Sequence, residues 1–197
     1  MKYFDYDSFK DFTFISKLKA LKNSDNIFCV TTTANIEDNK YDSNIHNVKK
    51  SRNFTNSNKD SSFFELNDGN LLINRNSDDE KDSDTSSFYR LPIDGGESVK
   101  EFDIDLKNVE ILFELEDSFI LKYEFDRHNE MKKLTDVEVN KDVEVITELP
   151  YFENALGFTD KKRTRIARYF PSINKIDILT DEFSNISSVD INDEKYL

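Results

Sequence analysis

The chain of 197 residues carries 40 Asp and Glu residues against 27 Lys and Arg residues, which gives a formal net charge of −13. This balance argues against sequence-independent binding to nucleic acid, which requires Lys and Arg to neutralise phosphates, and against anionic membrane surfaces. Hydrophobic residues make up only 37% of a chain that contains 17 Phe and no Trp, so a core must rest on a few large side chains.

The first predicted element is a helix near the N-terminus, where apolar residues recur at every third position. They are Phe9, Phe12, Ile15, Leu18 and Leu21. This spacing places them near one face of a short helix within the first 22 residues. Residues 27–33 (IFCVTTT) are β-branched and aromatic, and they predict a strand that buries Cys29.

Two polar stretches follow, at about 37–62 and 75–90. They consist mainly of Asn, Asp, Ser and Lys, and they hold too few apolar residues to offset the entropy of ordering, so both are predicted to be long loops. Between them, residues 63–74 (FFELNDGNLLIN) predict a hairpin in which Gly69 takes the positive φ of a tight turn. The acidic tail at 190–197 is predicted to fray.

The remaining apolar runs predict short strands. They lie at 99–106, 109–115, 119–125, 137–149, 163–170 and 173–179. Short strands between small polar turns predict a β-rich α+β single domain over 1–197, built mainly of antiparallel sheet. A sandwich, a curved sheet and propeller-like blades all fit the spacing.

Two segments share a rhythm of strand, turn and strand. They are GESVKEFDIDLKNVEILFELEDSFILKYEFD and KKRTRIARYFPSINKIDILTDEF. Over about residues 97–183 this rhythm resembles the C-terminal propeller blades of the fourth subunit of the anaphase-promoting complex, a non-catalytic scaffold of a ubiquitin ligase. The resemblance implies blade-like sheets and transfers no functional residue. The Gly-His and Trp-Asp motifs of WD repeats are absent from the sequence.

A search for catalytic motifs finds none. The two histidines, His46 and His128, have no metal-ligand spacing, and no G-x-S-x-G turn exists for a serine nucleophile. Cys29 with either histidine is the one conceivable dyad, but its place in an apolar strand favours a buried core residue. We therefore predict a protein that is not an enzyme.

Acidic residues are the remaining candidates for a metal site. Glu101, Asp103 and Asp105 alternate along one predicted strand and face the same side, although an exposed sheet face is the default for such a pattern. No acidic loop has the spacing of an EF-hand. We predict no metal and no cofactor.

One basic segment, residues 161–168, interrupts the acidic chain. The predicted partner-binding residues are Lys161, Lys162, Arg163, Arg165 and Arg168. Such a cluster suits contact with an acidic protein or a phosphate backbone, or a nuclear localisation signal. Neutralisation of the protein's own acidic surface is an equally open alternative.

These observations predict a non-catalytic protein-binding subunit or adaptor of a larger assembly. The alternative is an acidic inhibitor that mimics nucleic acid and blocks a nucleic-acid-binding enzyme. The lone cysteine suits a reducing compartment, and no signal peptide or apolar span is evident, so we expect a cytoplasmic or nuclear protein with protein partners and no membrane contact.

Overall fold

The computed structural model describes residues 6–22, 24–76, 85–126, 152–153, 157–158 and 162–190. The predicted strands at 137–149, half of the second polar loop (77–84), His128, Lys161 and the end of the tail lie outside the described residues.

The described residues form fourteen strands and two short 3-10 helices. The strands are β1 (Thr13–Ala20), β2 (Ile27–Asn35), β3 (Lys40–Asn47), β4 (Arg52–Asn53), β5 (Asp60–Glu65), β6 (Leu71–Arg75), β7 (Ser86–Leu91), β8 (Val99–Ile104), β9 (Lys107–Glu114), β10 (Phe119–Asp126), β11 (Phe152–Glu153), β12 (Gly157–Phe158), β13 (Lys162–Phe170) and β14 (Lys175–Ile178). The helices are η1 (Tyr6–Asp11) and η2 (Pro171–Ile173). In the part of the chain that is described, no helix is long and apolar enough to cross a bilayer.

Most strands belong to three antiparallel sheets of four strands each. Their orders are β1-β2-β3-β4, β5-β6-β7-β8 and β14-β13-β10-β9, and β11 pairs only with β12. The first two sheets join consecutive strands and are up-and-down meanders, which is the construction of a propeller blade. In the third sheet β10 pairs with β13, and β11 and β12 come between these two strands in the chain. The predicted β-rich, antiparallel fold is confirmed.

The chain divides into two compact units, Met1–Asp105 and Leu106–Leu197, and the single domain predicted over 1–197 stays a prediction. In the N-terminal unit the first two sheets share a hydrophobic core. Its members are Leu21, Phe28 and Ile45 from the first sheet region and Leu71, Ile73 and Leu91 from the second. The Phe28 ring lies 4.9 Å from the ring of Phe54 and 6.1 Å from that of Phe63, so aromatic contacts join the two sheets.

The C-terminal unit is built on β10 and β13, which pair along their whole length. Leu121 lies opposite Ala167, and both are fully buried. Tyr169 is also buried, and its hydroxyl hydrogen-bonds the Oδ1 of Asn174 at 3.1 Å. That bond satisfies the polar end of a large core side chain, as a buried Tyr requires. The strands predicted at 109–115, 119–125 and 163–170 are confirmed.

The predicted N-terminal helix is wrong. Tyr6–Asp11 forms only a single 3-10 segment, and Thr13–Ala20 is a strand that pairs with β2. The register shifts between Ser16 and Lys19, where Lys17 adopts a φ of 52°, so a bulge interrupts the strand. A period of three residues is also that of a 3-10 helix, which is what Tyr6–Asp11 forms. From Thr13 onward, hydrogen bonding with β2 makes the chain a strand.

The stretch predicted as a polar loop at 37–62 contains β3, β4 and the start of β5. β3 is mostly polar, but it lies between β2 and β4, so its backbone is hydrogen-bonded on both sides. The hairpin predicted at 63–74 is confirmed as β5 and β6, with Gly69 at a φ of 86°. β7 likewise begins inside the second predicted loop.

Candidate functional site

The predicted basic cluster lies on β13, apart from Lys161, which is outside the described residues. Lys162 is exposed, whereas Arg163 and Arg168 are half-buried and Arg165 is only 7% exposed. The strand therefore turns these side chains toward different surroundings, and the structure does not gather them into one exposed patch. Their role in binding a partner stays a prediction.

Arg165 is part of the interior of the C-terminal unit. Its guanidinium lies 4.7 Å from the centre of the Phe125 ring, and its Nη2 donates a hydrogen bond to the carbonyl oxygen of Thr180. Its Nε is buried without a hydrogen-bond partner among the described residues. These contacts tie β13 to β10 and to the chain beyond β14.

Arg168 neutralises an acid of its own unit. Its Nε donates to Ser118 Oγ at 2.8 Å, its Nη2 donates to Asp117 Oδ1 at 3.0 Å, and its guanidinium lies over the Phe170 ring. The hydrogen bond from Ser118, assisted by Arg168, lowers the pKa of the Asp117 carboxyl. For this arginine, the geometry favours the alternative of internal neutralisation.

The three carboxylates that alternate at 101–105 form a ladder with donors on β7, on β8 and on Thr85 just before β7. The pairs are Glu101 with Arg90, Asp103 with Ser87 and Lys100, and Asp105 with Thr85. Within the described ranges, no three His, Cys, Asp or Glu side chains are grouped so that they could hold a metal ion. The ladder is thus an exposed, hydrogen-bonded sheet face.

The ladder predicts a small pH-dependent contribution to stability. Burial opposes ionisation of Asp103, but hydrogen bonds from Lys100 and Ser87 outweigh it and lower the pKa of the Asp103 carboxyl. A depressed carboxyl pKa stabilises the fold above the unfolded value of about 3.9, and this contribution is lost as the pH falls through the folded value. Asp103→Asn is expected to lower the free energy of unfolding by less than about 1 kcal/mol at pH 7, because solvent screens exposed ion pairs.

Urea unfolding of the parent and of Asp103→Asn at pH 7, 5 and 3.5 measures this contribution. The difference between the two proteins should stay constant from pH 7 to pH 5 and shrink at pH 3.5. A difference that grows as the pH falls would contradict the assignment. The exposed Glu37→Gln is the matched control, because Glu37 makes no ion pair with any described residue, and its difference from the parent should not follow this course.

Cys29 and His46 lie directly opposite each other on β2 and β3. The thiol is 2% exposed, and burial raises the pKa of Cys29, so the thiol form is favoured over the nucleophilic thiolate. His46 Nδ1 is 3.1 Å from Asn53 Oδ1. The expectation that Cys29 is a core residue is confirmed.

A pocket of about 550 Å³ lies at the β2–β3 hairpin of the N-terminal unit, and we call it the hairpin pocket. Its lining residues are Phe9, Ala34, Asn35, Ile36, Asn39, Lys40 and Tyr41. Side chains two residues apart on a strand share a face, so Ala34 continues the face of β2 on which Phe28 and Val30 are buried. This face of β2 begins in the core, passes through the polar Thr32 and ends in the pocket.

Hydrogen bonds hold the hairpin that forms the pocket. Asn35 Nδ2 donates to Asp38 Oδ2 at 3.1 Å and to Asp42 Oδ2 at 3.0 Å, and Asn35 Oδ1 accepts from the Asp38 backbone N–H at 3.1 Å. The Asn39 N–H donates to the Ile36 carbonyl, and Asn39 adopts a φ of 51°. One sequence signal could have revealed this turn: Asp38-Asn39 follows the β-branched run TTT at 31–33.

The fold places this chain beside propeller-type domains of peptidases. An acylaminoacyl peptidase in complex with Z-Gly-Gly-Phe-chloromethyl ketone superposes with a TM-score of 0.61 and 18% identity, covering 87% of this chain and 25% of that one. Two Pyrococcus horikoshii acylaminoacyl peptidase structures, one in an orthorhombic crystal form and one uncomplexed, also give a TM-score of 0.61, at 19% and 18% identity. They cover 87% and 88% of this chain and 26% of theirs. The chain thus spans about a quarter of these solved chains.

No protein-family model matches the sequence, and no curated protein matches it. The likeness to the peptidases therefore establishes the fold, at identities too low to carry more. The resemblance to blades of the anaphase-promoting complex subunit stays a prediction.

These neighbours correct the function predicted from the sequence. A non-catalytic adaptor and an acidic inhibitor were expected, whereas the solved structures that share the fold are peptidases. The prediction rested on an empty motif search, and a β-rich domain without a catalytic motif gives the same empty search whether it belongs to a binding protein or to an enzyme. An empty search over such a domain cannot separate the two classes.

Proposed function

We propose that this chain forms propeller blades of a peptidase and helps to select its peptide substrates, while bond cleavage is carried out by residues outside this sequence. The observation that carries the proposal is the shared fold: 87% of the chain superposes on acylaminoacyl peptidases at a TM-score of 0.61, and the match spans a quarter of their length. In this proposal the other three quarters of such an enzyme would carry out the chemistry.

Two features of the described residues support this division of labour. Cys29 is buried, so it is not available to attack a peptide bond. The hairpin pocket has the volume of a ligand site, for which about 300–1,000 Å³ is usual, and it mixes apolar walls with a few polar groups. In this proposal the chain acts in the cytoplasm or nucleus, which suits its single free cysteine.

The proposal is tested by retrieving the protein from its source cells through an epitope tag on the chromosomal copy. The retained material is expected to hydrolyse N-acetylated peptide p-nitroanilides and to contain a peptidase catalytic domain, on the same or on another polypeptide. The purified 197-residue chain alone should release no p-nitroaniline. Mass spectrometry of the retained material identifies the catalytic domain.

A mock retrieval from untagged cells is the control for background peptidases. Retained material that contains the folded chain but neither peptidase activity nor a catalytic domain would overturn the proposal. Hydrolysis by the purified chain alone would overturn its second part, the placement of the chemistry outside this sequence.

A further inference from the structure

The hairpin pocket combines apolar walls with an acidic surrounding. We infer that it binds a peptide segment in which a large apolar side chain is followed by a basic residue. This inference rests on the proposed function, because it assigns the substrate class that the propeller blades would select.

The walls of the pocket fit an apolar side chain. Phe9 from η1 and Ile36 from the hairpin turn are both about half exposed, and Ala34 adds a third apolar surface. The Phe9 ring also contacts the Phe14 ring, at 5.6 Å between centroids. Removing such apolar surface from water is favourable, so an aromatic or aliphatic side chain would be the anchor of a ligand here.

The polar groups of the pocket fit a peptide backbone. Tyr41 and Asn39 both line the pocket, and neither the Tyr41 hydroxyl nor the Asn39 carboxamide makes a side-chain hydrogen bond to another described residue. A hydroxyl and a carboxamide each donate and accept, which is what a peptide N–H and C=O require. By contrast, the Asn35 carboxamide already donates hydrogen bonds to Asp38 and Asp42, so its N–H groups are not available to a ligand.

The charges around the pocket favour a basic neighbour of the anchor. The turn and the start of β3 carry three carboxylates, on Glu37, Asp38 and Asp42, against one ammonium, on Lys40. Lys40 lies 3.1 Å from Asp38, so it neutralises one of the three. The excess negative charge, on a chain with a net charge of −13, attracts a cationic ligand and repels an acidic one.

Binding is measured by titrating the ¹⁵N-labelled chain with three synthetic peptides. The probe is acetyl-Gly-Phe-Lys-amide, and the matched controls are acetyl-Gly-Ala-Lys-amide and acetyl-Gly-Phe-Glu-amide. The probe is expected to shift the amide signals of Ala34, Asn35 and Asn39 with a Kd in the range of about 10–1,000 μM. Loss of the phenyl group should weaken binding about tenfold, and reversal of the charge should weaken it several-fold.

Variants locate the site. Ile36→Asp should raise the Kd of the probe at least tenfold, because it places a carboxylate in the apolar wall. Ile178→Asp is the matched control, since Ile178 is 52% exposed and Ile36 is 53% exposed, and it should leave the Kd unchanged. Glu37→Lys should weaken the binding of acetyl-Gly-Phe-Lys-amide and strengthen the binding of acetyl-Gly-Phe-Glu-amide. An unchanged amide spectrum away from the substitution confirms that each variant folds.

The inference is overturned if the probe shifts no amide signal of the pocket at millimolar concentration. It is also overturned if the Ala and Glu peptides bind as tightly as the probe. Such a result leaves the retrieval experiment unaffected, because co-retrieved peptidase activity does not depend on this pocket. Conversely, peptide binding at the pocket without any co-retrieved peptidase would support the assignment of the pocket as a peptide site and contradict the proposal that the chain belongs to a peptidase.

Discussion

Replacing Phe28 with Ala is expected to lower the free energy of unfolding of the N-terminal unit by about 3–5 kcal/mol. Phe28 is 0% exposed, and its ring contacts the rings of Phe54 and Phe63. The substitution removes these contacts and leaves a cavity where the first two sheets meet, and a core that draws on few large side chains has little else to fill it. Urea unfolding followed by far-UV circular dichroism measures the loss.

Phe14→Ala is the matched control, because Phe14 lies on the same sheet but is 45% exposed. Its cost should stay below about 1 kcal/mol. Equal costs for Phe28→Ala and Phe14→Ala would show that the shared core between the two sheets does not stabilise this unit.

The hairpin at 63–74 shows what the sequence could predict. Two apolar runs flank Asn67-Asp68-Gly69-Asn70, and the structure places Gly69 at a φ of 86°, with the Asn70 N–H bonded to the Asp68 carboxylate at 2.9 Å. All of these determinants lie within twelve residues of one another. Local turn chemistry and alternation suffice in such a case.

β3 shows what the sequence could not predict. Only Ile45 and Asn47 are buried among its eight residues. Two of its polar side chains are hydrogen-bonded by neighbouring residues: Thr32 Oγ1 lies 2.9 Å from Ser43 Oγ, and Asn47 Nδ2 donates to Asn26 Oδ1 at 3.0 Å. The strand forms because β2 and β4 supply hydrogen-bond partners for its backbone. A prediction that counts apolar residues takes no account of these partners.

The hairpin pocket was missed for a related reason. Phe9 was assigned to the core face of a helix, and Tyr41 and Asn39 to a polar loop, so no pattern brought them together. The pairing of Ala34 with Tyr41 across β2 and β3 creates the pocket. The basic cluster on β13 was conspicuous in the sequence, but the structure does not present it as one surface patch. Alternation along the strand places the Arg165 side chain in the interior.

The ion pair between the half-buried Arg75 and the buried Asp60 should be the other site of large effect. Asp60 begins β5, Arg75 ends β6, and their side chains meet with Nε 2.7 Å from Oδ1. The Asp60 side chain is fully buried, and its Oδ2 has no hydrogen-bond partner among the described residues. Arg75→Leu is expected to cost about 3–5 kcal/mol, because it leaves a buried carboxylate without its counterion.

The pair itself should contribute far less than the single substitution suggests. Taking two charges out of water offsets most of their attraction, so the double variant Asp60→Leu/Arg75→Leu should recover most of the loss. Tyr89→Leu measures the separate contribution of the Arg75 guanidinium over the Tyr89 ring, at 4.6 Å, which is worth about 1 kcal/mol. If the double variant unfolds as readily as Arg75→Leu, the cost arises from lost packing and not from an unpaired charge. Recovery in the double variant would instead show that the pair is retained because neither charge can be removed alone.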